Sequence, residues 1–465
     1  MKWLKALLGI IALMAVVYFV GPHPEKPVFD YTIHDIADGT NLDSLVNANE
    51  SKHHIKPNNE AKIIWADSNH QQTDYAIVYL HGFSASQNAL KIFFRTLSFQ
   101  NDAMNNQRFL SLDVFRGMTI CLMIIVNTPG DGSMTFAPFN HADWHGFTPT
   151  DLVFPSFLFA VGNAMSFVLP KWEKLSNATV LFKILKRTAL IFLLGYLMYW
   201  FPFTGPVAET RILGVLQRIA LCYGLASLIA HFMHERVVMI VSAILLLVYW
   251  YLSMHFGVPG QELTMLGNAG IELDKLVLGE SHMYHGEGVA FDPEGILSTL
   301  PAIVNVLIGF RVGKFIQEKG KTYEGLMLLM MWGAGFIFLG FMWNYQFPIN
   351  KKLWTSSFVM LTVGLDMVIL GTIIYRIEMH RQLQFSSFFE VFGKNPLVIY
   401  LFSEILATIL YITKVGDQST FKWIFNNGFS YFAPYWASLA FALSFMLVCW
   451  LLGYILDKYK IYIRV

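Results

Sequence analysis

The stretch "FNHADWHGFTPTDLVFPSFLF", residues 139–159, sets two histidines, two aspartates and a tryptophan directly before a run of bulky apolar residues. The apolar run, residues 151–169, approaches the about 20 residues that cross the hydrocarbon core of a bilayer. The stretch therefore reads as the mouth of a membrane-spanning helix. Working outward, comparable apolar segments occur at 4–20, 112–127, 188–203, 212–232, 237–255, 295–310, 325–343, 354–375, 396–412 and 431–456. Composition agrees: of 465 residues 55% are hydrophobic and only 14% charged, with 40 Phe and 12 Trp, and the mean hydropathy is +0.47. Soluble globular chains rarely reach such values. The expected fold is an all-α polytopic membrane protein of about 10–11 transmembrane helices, with a short α/β fragment before it. A net charge of +1 gives no basic surface for nucleic acid. Cys121, Cys222 and Cys449 all sit in apolar runs and read as packing residues without metal-site spacing.

Loop charge orients the spans, because short cytoplasmic loops carry the excess of Lys and Arg. Residues 171–187, the loop at Arg236, 311–321, 375–381 and 457–465 are basic and fall on alternate loops. All five can be cytoplasmic together. The loops around His141, Gly205, Asp292, Asn350 and Asp417 then lie on the far side.

The first hundred residues differ. Residues 1–20 have a short basic start and an apolar stretch, so they read as a signal-anchor-like segment. Within 21–107, "DYAIVYLHGFSAS" (74–86) is a strand pattern running into a His-Gly turn. It resembles the oxyanion-hole strand of α/β-hydrolases. No G-x-S-x-G elbow follows, and Ser84 in "GFSAS" lacks the final glycine. The region is expected to be a truncated hydrolase-like piece without esterase activity. It is expected on the cytoplasmic side, since two lysines at the start face at least a dozen basic residues in later loops.

From residue 108 the spans carry polar residues that inert helices avoid. Asp113 and Arg116 sit at i and i+3 and can pair at the cytoplasmic end. Asn127 ends that span on the opposite face. His141 and His145 follow the turn "NTPGDGSM", and Thr148 or Thr150 can cap the next helix with Asp151 in its first turn. One reading makes these histidines interfacial and Trp144 part of an aromatic belt. The other gives an imidazole, oriented by a carboxylate, the work of nucleophile or general base. Gln217 and Arg218 lie early in a span, an expensive place for charge. "GKNP" (393–396), with Lys394 and Asn395, suggests an interrupted helix lining a cavity. His282, His285 and Glu287 lack a helical context for a metal site, and none is expected.

"RFLSLDVFRG", "NHADWHGFTPTDLVFPSFLFAVG", "GVLQRIALCY", "FDPEGILSTLPAIVNVLIG", "FPINKKLWTSSFV" and "FGKNPLVIYL" occur in order in residues 108–465. Together they resemble the heparan-α-glucosaminide N-acetyltransferase family of transmembrane acyltransferases and its bacterial relatives. The resemblance makes 108–465 a transmembrane acyltransferase domain and implies His141 as catalytic residue, with Asn127 and Asp151 beside it. It implies cytosolic acetyl-CoA as co-substrate, no tightly bound cofactor, and a glucosamine-type amine on the opposite face as acceptor. His145 stands where relatives often carry Asn. Acceptor contacts are expected from Trp144, His145, Asp292, Glu294, Asn350, Lys351 and Trp354. Donor contacts are expected from Asp113, Arg116, Gln217, Arg218, Arg311, Lys394 and Asn395, the guanidinium groups suiting CoA phosphates. The expected setting is the bacterial cytoplasmic membrane, and a homodimer is left open. A sugar transporter on the same fold, or a polysaccharide O-acyltransferase, are the competing readings.

Overall fold

The chain divides into two units, Met1–Asn106 and Gln107–Val465. The computed structural model describes residues 109–384 and 386–463. The segment at 4–20, the hydrolase-like region 21–107 and their sidedness lie outside the described residues.

Every one of the ten apolar segments expected within the second unit forms a helix. They are α1 (Leu110–Asn127), α2 (Val153–Val168), α3 (Asn177–Trp200), α4 (Val215–Phe232), α5 (Glu235–Phe256), α7 (Thr299–Lys319), α8 (Tyr323–Asn344), α9 (Ser356–Ile374), α11 (Pro396–Ile412) and α13 (Pro434–Lys458). Shorter helices α6 (Ala269–Leu278), α10 (Ser386–Lys394) and α12 (Thr420–Gly428) join them, with one two-residue hairpin, β1 (Lys414–Val415) and β2 (Gln418–Ser419). Eight helices among the described residues are long and apolar enough to cross a membrane, and α10 with α11 makes a ninth if that bent pair is one span. Helix α3 has the length but carries Lys183, Lys186 and Arg187 in one half, too many charges for an unaided lipid-facing span. The protein is an all-α polytopic membrane protein.

Local chemistry sets the helix ends. Ser176, Asn268 and Thr322 accept the N–H of Thr179, Ile271 and Gly325, closing the first turns of α3, α6 and α8. At "GKNP", Pro396 cannot continue the ladder of α10, and the chain turns by 83° before α11 begins.

Helix α7 lies at the centre, packed along α2, α5 and α4, and is buried over most of its length. Small residues bring the backbones close. A Cβ on Gly162 of α2 would fall 2.0 Å from the carbonyl oxygen of Val306, and one on Gly309 of α7 would fall 2.2 Å from that of Phe159. Membrane helices, lacking a strong hydrophobic drive to associate, gain van der Waals contact in this way. Gly117 and Gly393 do the same between α1 and α10, where added Cβ atoms would meet Phe389 and Asp113 backbone oxygens at 1.8 and 2.1 Å. Cys121, Cys222 and Cys449 are buried free thiols.

The two ends of the bundle collect different loops. At one end Lys321 pairs with Glu378 at 2.6 Å, Arg311 and Lys314 with Glu235 at 3.3 and 2.8 Å, and Lys394 with Asp457 at 2.9 Å. These join basic loops that charge alternation assigns to one side. At the other end the loops around His141, Gly205, Asp292 and Asn350 meet, through Gly146 N–H to the Ile349 carbonyl at 2.8 Å and Ile212 N–H to the His282 carbonyl at 3.1 Å.

Candidate active site

The loop between α1 and α2 delivers His141 to a fixed carboxylate. Residues Pro149–Leu152 form a short 3-10 turn ahead of α2, and Asp151 within it is 1% exposed. Its Oδ2 accepts the N–H of Thr148 at 2.9 Å, the Thr148 hydroxyl at 3.1 Å and the N–H of Ala142 at 3.2 Å. Its Oδ1 lies 2.7 Å from Nδ1 of His141, whose side chain is 44% exposed. A carboxylate with this many donors serves as acceptor only, so the proton on His141 is assigned to Nδ1 and Nε2 is left unprotonated. Nε2 is then the nitrogen able to take a proton or attack a carbonyl. Lys351 Nζ, from the loop between α8 and α9, stands 3.1 Å from Nε2 and 3.2 Å from Nδ1. Burial pushes the Lys351 amine below the usual lysine range, against the fields of Glu294 and Asp151.

Trp144 donates its indole N–H to the Leu263 carbonyl at 2.8 Å and packs on Phe291, tying this loop to the segment before α6. His145 lies 3.4 Å through Nδ1 from the Asn350 amide, and burial holds its pKa below that of a free imidazole. Asn350 is fully buried. Its Oδ1 accepts the Leu353 N–H at 2.8 Å, so it builds the turn that presents Lys351. Trp354 is fully buried too, donating to Asn305 at 3.1 Å and stacking edge-on to Phe154 and Phe358. It supports the site from within the bundle and does not face a substrate.

Asp292 and Glu294 meet a partner that sequence reading passed over. Arg211 reaches Asp292 at 2.6 Å and Glu294 at 2.7 Å while lying over the rings of Tyr199 and Tyr284. Its signal was present: a lone arginine in a far-side loop, opposite the two acids of "FDPEG". Burial raises the Asp292 carboxyl above its usual value, with Arg211 opposing. Nearby, Asp274 of α6 accepts the Ile296 N–H at 2.8 Å, and burial pushes its pKa up to about 7. An acid held higher in the folded than in the unfolded state is penalised progressively as pH rises from about 3.8 to about 7, and fully above that. Asn keeps the acceptor for Ile296. Asp274→Asn is therefore expected to raise stability above pH 7, by at most about 4 kcal/mol, and with it the unfolding midpoint, and to give no gain near pH 4. Thermal unfolding in detergent across that range measures it.

A cavity of about 630 Å³ opens between the first half of α1, the second half of α2, and α3, α4 and α11. Asp113, Arg116 and Lys394, three of the residues proposed to contact the donor, line it, with Arg187, Asn163, Tyr223 and Tyr462. Arg116 bonds Asp113 at 2.7 Å and the Gly393 carbonyl at 2.9 Å. Asn163 keeps both amide atoms, Arg187 its Nε and Tyr223 its hydroxyl buried without a hydrogen-bond partner, and Arg187 lies over the Tyr223 ring. Polar groups buried this way lack the satisfaction that folding normally provides. Other residues expected beside them lie elsewhere. Arg218 is buried at the opposite end, bonded to the Gly295 carbonyl at 3.0 Å and to Ser298, and over the Trp354 ring. Gln217 is fully buried against Gly195. Arg311 is engaged by Glu235 and Glu318, and Asn395 holds the C-terminal segment through Ile461 and Ile463. None of these four lines the cavity.

Asn127, at the end of α1, donates to Glu404 Oε1 at 3.2 Å. Glu404, a carboxylate inside the apolar run of α11, also went unremarked in sequence, although an acid in such a span marks function by its cost alone. His282 and His285 bond backbone carbonyls of Thr210 and Met283, and Glu287 pairs with Lys352.

Residues 108–326 match the family described as "Heparan-alpha-glucosaminide N-acetyltransferase, catalytic". The chain is similar to the heparan-alpha-glucosaminide N-acetyltransferase of Homo sapiens, 30% identical over 373 residues, covering 68% of this chain and 56% of the relative. The Mus musculus protein of the same name is 27% identical over 377 residues, with the same shares. The chain thus spans about half the length of the curated relatives it matches. Its matched region contains the first, polar-edged spans, the His141–Asp151 pair and the acids facing Arg211, and it is through residues 108–326 that the chain is similar to the heparan-alpha-glucosaminide N-acetyltransferase family.

Proposed function

We propose that this protein transfers an acetyl group from cytoplasmic acetyl-CoA to the amine of an amino sugar presented at the opposite membrane face, in a bacterial cytoplasmic membrane. The observation carrying this reading is the His141–Asp151 pair, 2.7 Å apart, at the far end of the same two helices whose other ends line the cavity. Helix α1, 18 residues long, spans about 27 Å. A donor seated among Arg116, Arg187 and Lys394 can place its phosphates near the basic loops and reach along α1 toward Asn127. Unpartnered donors on Arg187 and Asn163 supply hydrogen bonds that such a molecule would take up.

At the other end, Nε2 of His141 takes the proton of the attacking amine, and Asp151 steadies the imidazolium that forms. The acids paired with Arg211 offer acceptors to sugar hydroxyls. Asn127, held by Glu404, directs its amide at the reacting carbonyl. Asn127→Ala is accordingly expected to lower kcat by on the order of 10²-fold while KM for acetyl-CoA stays near wild type. A change confined to KM would remove Asn127 from that role. Donor seating has its own test. CoA should raise the unfolding midpoint of the detergent-purified protein, because a ligand that binds only the folded state stabilises it. Combining Arg187→Ala with Lys394→Ala should shrink the rise. No rise with CoA at any concentration would take the donor out of this cavity.

A further inference from the structure

Lys351 stands against the imidazole of the His141–Asp151 pair. Asp151 Oδ1 is 2.7 Å from His141 Nδ1, and Lys351 Nζ lies 3.1 Å from His141 Nε2 and 3.2 Å from Nδ1. A nucleophile beside an imidazole that a carboxylate orients is the pairing by which a base activates a serine or cysteine; here the neighbour is an amine within 3.2 Å of both ring nitrogens. Lys351 is held there on both sides. Asn350 closes the turn around it through Leu353 and Thr355, and Lys352 is anchored to Glu287 at 2.8 Å. The amine also stands beside Nε2, where an acceptor amine must come.

We infer that Lys351 is a self-acetylation site: when donor is present and acceptor is absent, the protein acetylates its own Nζ. This rests on the acetyl-transfer reading above. The step balances simply. The Lys351 ammonium first gives one proton to solvent, which the lowered basicity of the enclosed amine assists. The neutral Nζ attacks the thioester carbonyl, forming a C–N bond as the C–S bond breaks. The second Nζ proton passes to His141 Nε2 and from there to the departing sulfur, releasing a free thiol. The product is an amide, which the imidazole does not reverse, and it leaves an uncharged acetamide against Nε2. Self-acetylation therefore closes the acceptor place and inactivates the protein that carries it. An amino sugar occupying that place protects Lys351.

The test incubates full-length protein in detergent with acetyl-CoA alone, with acetyl-CoA plus excess glucosamine, and without donor. Peptide mass spectrometry then reads acetyl occupancy at Lys351 and at exposed Lys171 and Lys174, which report uncatalysed acetylation. Acetylated glucosamine is measured in parallel. The expected result is acetylation of Lys351 at least tenfold faster than at Lys171 or Lys174, suppressed by glucosamine, and reduced to the surface rate in His141→Asn. Activity lost during preincubation with donor should track Lys351 occupancy. Acetylated glucosamine forming while Lys351 is modified no faster than the surface lysines would overturn the inference and leave the transfer reading standing. Neither product forming would overturn both. Lys351→Arg, checked for an unchanged unfolding midpoint, must abolish the donor-dependent inactivation. Inactivation that persists in it would also overturn the inference.

Discussion

Replacing His141 by Ala will lower acetyl transfer to an amino sugar by on the order of 10³-fold or more, while the protein keeps its expression and unfolding midpoint. The loss follows from removing the base at which Nε2 meets the acceptor; general base catalysis alone contributes about 10²–10⁴-fold. The midpoint holds because His141 is 44% exposed in a loop and packs little. Its removal leaves Asp151 Oδ1 without the imidazole, but Oδ2 keeps the Thr148 and Ala142 bonds that shape the turn into α2. Activity above a tenth of wild type would take His141 out of the chemistry.

Asp151→Asn is the sharper experiment, because it alters no volume. Its amide must place an NH₂ either toward Nδ1 of His141 or toward the Thr148 and Ala142 donors. In the first case His141 accepts at Nδ1 and carries its proton on Nε2, where it can no longer act as a base. In the second, donor faces donor in a buried turn, at a cost of about 1–3 kcal/mol for unsatisfied groups. The expected result is a fall in kcat of about 10²–10⁴-fold with KM for the amino sugar little changed, and a midpoint lowered only in the second case. A fall in activity fully explained by lost folded protein would make Asp151 a structural cap and nothing more.

Most of the architecture was legible because a span advertises itself: twenty apolar residues between polar loops need no tertiary information. The turn into α2 could be read from Thr148 and Asp151 alone. His141 with Asp151 was legible for the same reason, since ten residues and a capping turn bring them together. Residues whose partners lie on distant spans were not. Arg218 looked like a donor contact because its charge falls early in a span, yet it is buried against Gly295, Ser298 and Trp354, 77 and more residues away. Arg311 stood in the right loop and is held by Glu235 of a neighbouring helix. Arg187 and Asn163 became visible only where a cavity formed around them. Charge in a membrane protein marks where function concentrates, but which ion meets which is settled by helix packing that no local pattern encodes.

One measurement bears most directly on the central claim. Purified protein in detergent is given acetyl-CoA and an excess of each of several amino sugars, and free thiol and N-acetylated sugar are quantified together, for wild type and for His141→Ala. The account predicts equal amounts of thiol and acetylated sugar from wild type and neither above background from His141→Ala. It would be contradicted by neither thiol nor acetylated sugar forming with folded wild type, or by acetylated sugar formed equally by both proteins.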